Sequence, residues 1–180
     1  MLLPETSNDV PVEQAEGGLA EGFADSIRKL HAAERRGDLA ELRRLDPERP
    51  NAPAFFRIVT KAAPQSPPAA MRRYARLLQI LALKPDALAP WGLGKTMAEA
   101  GISESRVQKL LSARGTAFDE QIRLVARRLA NFGRLPYREI GRLLLAPEES
   151  DAVEDFRLRI AHDYWRALDR SAVVEAATEI

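Results

Sequence analysis

Apolar residues recur three or four positions apart along most of this chain, and this spacing is what most limits its fold. The longest such series consists of Phe118, Ile122, Val125, Leu129 and Phe132. Spacing of this kind places the side chains on one face of an α-helix. No segment alternates apolar and polar residues in the way that a half-buried strand does. We therefore predict an all-α protein, a helical bundle of about eight or nine helices.

Composition suggests how this bundle is divided. The first residues are acidic and contain two prolines and two glycines, which favours disorder. A loop with two prolines at residues 84–90 is the expected seam inside the bundle. The predicted parts are an acidic disordered tail at 1–18, a helical domain at 19–170 with two packed sub-bundles at about 19–90 and 91–170, and a C-terminal tail at 171–180.

Charge is unevenly distributed, although the net charge is only +1. Residues 1–26 hold six acids and no Lys or Arg, and residues 146–180 hold nine acids against four bases. Residues 27–145 carry 23 bases against 11 acids. A basic middle of this kind indicates a polyanionic partner, although ordinary solvated helix faces would give the same count.

Several classes of protein are disfavoured by what the sequence lacks. There is no cysteine, which excludes disulfides and thiolate metal sites. The two histidines, His31 and His162, are far apart and lack the spacing of metal ligands. No apolar run approaches the roughly 20 residues that span a bilayer. We expect a cytoplasmic protein with no membrane partner, no metal or other cofactor and no catalytic residues.

The stretch WGLGKTMAEAGISESRVQKLL at residues 91–111 allows two interpretations. A phosphate-binding loop needs glycine where Ala89 stands, and it needs a preceding strand, so we reject that interpretation. A DNA-binding helix-turn-helix fits better, with helices at 95–100 and 104–112 around a glycine turn. In this alternative Arg106 and Lys109 face the major groove, and the protein is a transcriptional regulator.

A second basic surface is predicted on the long helix that carries the apolar series. Arg123, Arg127 and Arg134 project from the side opposite Phe118. Most aromatic residues lie in apolar stripes and are expected to be core, which leaves phosphate contacts as the means of binding nucleic acid. Such binding has little sequence preference and depends strongly on salt.

Four stretches in order resemble one protein family. They are GDLAELRR at 37–44, PAFFRIV at 53–59, LGKTMAEAGISESRVQKLL at 93–111 and DFRLRIAHDYWRA at 155–167. Together they are similar to the small subunit, of the CasB type, of the type I-E CRISPR surveillance complex, Cascade. The similarity extends over most of the chain, from about residue 37 to residue 167.

The resemblance implies an all-α, non-catalytic subunit, present in more than one copy beside other Cascade subunits. Such a subunit helps to hold the guide RNA (crRNA), the target DNA heteroduplex and the displaced DNA strand. Arg43, Arg44, Arg106 and Arg123 are the binding residues that the resemblance implies. The charge and helix-face arguments add Lys109, Arg114, Arg127 and Arg134. A third hypothesis is a helical scaffold that binds only protein.

Overall fold

A computed structural model describes residues 12–147 and 150–178, with side chains described for 17–147 and 150–171. Nine α-helices lie within these residues, and the prediction of an all-α bundle is confirmed. The helices are α1 Val12–Ala32, α2 Arg36–Arg43, α3 Pro53–Ala62, α4 Met71–Leu81, α5 Leu93–Glu99, α6 Glu104–Ser112, α7 Gly115–Phe132, α8 Tyr137–Leu145 and α9 Asp151–Thr178.

Two short strands tie distant parts of the chain together. β1, Leu88–Ala89, follows a 3-10 turn at Pro85–Ala87 and pairs in parallel with β2, Leu135–Pro136. This pairing joins the loop before α5 to the start of α8. The predicted seam at residues 84–90 therefore contains the only strand pairing among the described residues.

A single apolar core contains side chains from both halves of the chain. Helix α1 packs against α8 and α4. The approach to α8 is close, because a Cβ atom added at Gly141 would lie 2.5 Å from the Cβ of Ala20. The hydroxyl of Tyr137 also donates a hydrogen bond of 2.6 Å to Glu21, and this bond lowers the pKa of that carboxyl. The division into sub-bundles at 19–90 and 91–170 stays a prediction.

Both predicted tails differ from the structure. Helix α1 begins at Val12, inside the segment predicted as a tail, and the tail boundary at residue 18 stays a prediction. The glycine pair in this segment has low helix propensity, and α1 packs on α8 further along, at Ala20. Residues 1–11 lie outside the described part of the chain. At the other end α9 continues to Thr178, through most of the predicted tail at 171–180.

Helix α5 is held against α9 by close contact between the two backbones. A Cβ atom at Gly94 would collide with the carbonyl oxygen of Ile160 and lie 2.9 Å from the backbone nitrogen of Tyr164. Only glycine permits this approach. The hydroxyl of Tyr164 donates a hydrogen bond of 2.6 Å to the carbonyl of Ile102, just beyond α5. The second glycine of the motif at 91–111 therefore serves helix packing.

A carboxylate occupies the N-terminal end of α5. The amide of Leu93 donates a hydrogen bond to Glu139 of α8. Burial is the main cause that raises the pKa of Glu139, and nearby Asp163 raises it further. The Leu93 amide, Arg159 and Arg142 act in the opposite direction. A two-residue strand, β1, does precede α5, so that ground for rejecting a phosphate-binding loop is wrong. The other grounds hold, because Ala89 stands where the loop needs glycine and a carboxyl group already binds this helix end.

The buried Glu139 is expected to make the protein less stable as the pH rises. Its pKa is raised in the folded state, so stability falls as the pH rises from the ordinary pKa through the folded value. Glu139→Gln retains an oxygen acceptor for Leu93 and does not titrate. We expect the unfolding free energy of the variant, relative to wild type, to increase with pH across this window. Urea denaturation at a series of pH values measures this difference. A difference independent of pH would contradict the assignment.

Candidate nucleic-acid interface

Helices α6 and α7 pack against each other, and their apolar sides are buried in the core of the bundle. Val107 and Leu110 of α6 are buried, as are Phe118 and Ile122 of α7. Between the helices the chain turns at Gly115, which has φ +55°, a left-handed conformation that favours glycine. The outer side of the pair is consequently left for polar and charged residues.

Five exposed cationic side chains project from α6 and α7. We call them the basic face, which consists of Arg106, Lys109, Arg123, Arg127 and Arg128. All five are exposed. In the part of the chain with described side chains, none of them forms an ion pair or side-chain hydrogen bond. Arg123 lines a pocket that also contains Glu48, Asp119 and Glu120, so acids lie near it although none pairs with it. The field is therefore most positive around Arg106, Lys109 and Arg128, which line a cavity without acidic residues.

Sequence reasoning missed one member of the basic face. It selected Arg123 and Arg127 because they lie opposite Phe118, whereas Arg128 lies closer to the edge of the apolar stripe. The buried positions of α7 form a narrow stripe, so a wide arc of this helix is exposed. Leu124 lies on the same exposed arc, and the sequence could not show this, because leucine is also the usual residue of a core.

A groove lies between α6 and α7, beside three cations of the basic face. Its volume is about 370 Å³. Arg106 and Lys109 of α6 line one side, and Arg128 and Gln121 of α7 line the other. Leu124 also lines the groove, and Ile102 and Val125 supply further apolar surface. No acidic residue lines it.

Arg114 was predicted to bind nucleic acid, but its guanidinium forms an ion pair with an acidic residue of the same chain. Its guanidinium donates two hydrogen bonds, of 2.7 and 2.6 Å, to Glu154 of α9. It also donates to the carbonyls of Leu111 and Ala113. Buried Arg157 binds the same two carbonyls. These contacts fix the end of α6 to α9, and they leave Arg114 a weaker candidate for a phosphate contact.

Arg134, also predicted to bind nucleic acid, is likewise paired with an acidic residue. It forms an ion pair of 2.6 Å with Glu99. Its guanidinium lies 5.5 Å from the ring centre of Trp91 and 5.7 Å from that of Phe132. The expectation that Phe132 is core is wrong, because α7 ends there and the ring is 43% exposed. Arg134 therefore lies in a neutralised aromatic cluster and not in the basic face.

Arg43 and Arg44 lie elsewhere in the bundle. They stand at the end of α2, which packs against α1, α3 and α4. The Nε of Arg43 donates a hydrogen bond of 3.1 Å to the carbonyl of Leu39. Gln79 of α4 donates to the carbonyls of Arg43 and Leu45 and so fixes this helix end. Both arginines are exposed and form a second basic site, apart from the groove.

Two other kinds of site are absent from the described residues. No group of three or more histidine, cysteine or acidic side chains in residues 12–147 and 150–178 is placed to hold a metal ion. No helix in the described ranges is both long and apolar enough to span a bilayer.

Comparison with known families explains the order of the motifs. The family model of CRISPR-associated protein Cse2 matches residues 38–165, well over half of the chain. The chain belongs to the Cse2 family. The matched range includes the whole basic face, and it begins after α1. No curated protein matches the chain significantly.

A solved structure has the same fold. A chain in a crystal structure of E. coli Cascade bound to a PAM-containing dsDNA target superposes with a TM-score of 0.61. The superposition covers 82% of this chain and 95% of that chain, at 21% sequence identity. The resemblance to the small subunit of type I-E Cascade is thus confirmed, since CasB and Cse2 denote the same family. This Cse2 chain is a structural subunit of the type I-E CRISPR complex.

Proposed function

We propose that this Cse2 subunit holds nucleic acid within an RNA-guided complex through its basic face. The ligands are the backbones of the guide RNA and target DNA heteroduplex and of the displaced strand. The observation that carries the proposal is the set of five exposed cations that lack carboxylate partners. Arg43 and Arg44 supply a second contact, and Arg114 and Arg134 contribute less because acids already neutralise them.

The physical mechanism is stabilisation of an open target. Opening a DNA duplex and forming a heteroduplex exchanges two structures of similar stability, so modest backbone contacts decide which one persists. Each Lys or Arg that neutralises a phosphate releases counterions. Several such contacts on a fixed helix pair oppose reclosure of the displaced strand, and they require no base sequence.

The rest of the proposal concerns the setting of the subunit. It is non-catalytic and works in the cytoplasm beside the other Cascade subunits. A second copy of this chain sits next to it in the complex. Family membership supports the place of this subunit beside other Cascade subunits.

A helix-turn-helix regulator remains the second candidate. The observation in its favour is that α5 and α6 flank a turn at Gly101, with φ +64°, and that Arg106 and Lys109 of α6 are exposed. Against it, α5 is packed along α9, with Leu93 and Met97 fully buried. In this Cse2 chain α5 therefore belongs to the core of the bundle, and the two helices do not form a free-standing reading unit.

Arg106→Ala separates the two candidates. If Arg106 binds phosphate, the variant loses affinity for all sequences equally, by about threefold to tenfold at low salt, and the salt dependence becomes less steep. If it reads bases, the loss is confined to one sequence. Fluorescence anisotropy on a panel of unrelated oligonucleotides measures this, with Arg36→Ala, an exposed cation on α2, as the matched control. A preference for one duplex that the variant relaxes would favour the regulator.

A further inference from the structure

Leu124 is an exposed apolar residue beside the basic face, and the proposed function does not account for it. Its side chain is 58% exposed and lies among Arg106, Lys109 and Arg128, which line the same groove. A single exposed leucine is common on soluble proteins. This one differs because it lines a cavity that also contains apolar surface from Ile102, two residues before the start of α6.

The groove has the dimensions and chemistry of a small-molecule site. Its volume of about 370 Å³ falls in the range of about 300–1,000 Å³ that such sites occupy. Three cations and no acidic residue line it, so it is complementary to phosphate. The Gln121 side chain provides both a donor and an acceptor for a polar ring edge. The cations match the phosphate of a nucleotide, and the apolar and amide groups match its base.

Only an unpaired nucleotide can use all of these groups. In a duplex the bases are stacked inside, and phosphates are what reach a protein surface of this kind. In a single strand the base is free to leave the stack and contact apolar side chains. Leu124 therefore gains contact area only when the bound strand is single.

We propose that the α6–α7 groove receives the base of an unpaired nucleotide against Leu124, while Arg106, Lys109 and Arg128 bind the flanking phosphates. The groove thereby distinguishes single strands from duplexes. This inference rests on the proposed function, and it adds a base contact to a surface otherwise assigned to the backbone. Both the displaced DNA strand and unpaired guide RNA offer the required chemistry.

The test measures binding of labelled probes to the full chain by fluorescence anisotropy. The probes are an oligothymidine, an oligouridine, an abasic strand with the same number of phosphates, and a DNA duplex. Leu124→Gln is expected to weaken oligothymidine binding about fivefold, in keeping with the loss of one apolar contact. Binding of the abasic strand and the duplex stays unchanged. A loss with oligothymidine alone assigns the groove to DNA, and a loss with both single strands assigns it to either nucleic acid.

The matched control is Leu158→Gln, which alters a leucine of α9 that is 69% exposed and does not line the groove. It is expected to change no affinity. Leu124→Met, which keeps an apolar side chain, is expected to restore binding of single strands. Equal losses for all probes, or no loss for any, would overturn the base contact.

A further variant separates this inference from the proposed function. Arg127 belongs to the basic face but does not line the groove. If Arg127→Gln weakens all probes alike while Leu124→Gln changes none, only the base contact is wrong. If neither variant, nor Arg106→Gln, weakens any probe, the proposed function fails as well.

Discussion

Replacing Gly94 with alanine is expected to lower the free energy of unfolding by about 3 kcal/mol, because the added methyl group has no space. The atoms that it meets belong largely to the backbone of α9, at Ile160 and Tyr164, and cannot rotate away. Accommodating it requires α5 and α9 to move apart along one of the closest contacts in the fold. Urea denaturation followed by far-ultraviolet circular dichroism measures the change.

Gly92→Ala is the matched control, because it alters the other glycine of the same motif. A Cβ atom there meets nothing within 4 Å, and φ is −71°, which alanine adopts freely. We expect a change below about 1 kcal/mol. An equal loss of unfolding free energy in the two variants would contradict the packing role of Gly94.

The sequence predicts the helical class and part of the basic face because both depend on local pattern. The buried positions Phe118, Ile122, Val125 and Leu129 follow from spacing alone, and the exposed Arg123 and Arg127 follow from the same helix geometry. These features need only the period of an α-helix. Their role in binding stays a prediction.

What the sequence could not predict depends on contacts between distant residues. Arg114 is neutralised by Glu154, and Arg134 by Glu99, over separations of 40 and 35 positions. No local pattern reveals such a pair. The same is true of the packing of α1 on α8, where Gly141 and Ala20 allow the two helices to approach closely. Charge counts therefore overestimated how many cations are available to a ligand.

Reversing three charges of α7 is expected to have the largest effect on binding. The variant combines Arg123→Glu, Arg127→Glu and Arg128→Glu, all at exposed positions, so the bundle should remain folded. Losing three phosphate contacts and adding repulsion should weaken target DNA binding by the complex about 100-fold, and should make the logarithmic salt dependence less steep by about 2. Mobility-shift titrations of the assembled complex at several salt concentrations measure both quantities.

A control with the same change in net charge tests whether position matters. It combines Arg36→Glu, Arg49→Glu and Lys61→Glu, which are exposed on α2, the following loop and α3. None of the three forms an ion pair or side-chain hydrogen bond among the described side chains. We expect this variant to bind target DNA within about threefold of wild type, because long-range charge effects are screened at physiological salt.

In the proposed function the basic face, and not the bulk of the subunit, keeps the target DNA open. The most direct test is the dissociation rate of target DNA from Cascade carrying the α7 triple variant, with subunit content checked by denaturing gel electrophoresis. We predict that the complex assembles fully, that DNA leaves about 100 times faster than from wild type, and that the control variant shows no such change. A fully assembled variant complex that releases DNA at the wild-type rate would contradict the claim, and would identify the chain as a scaffold that contacts only protein.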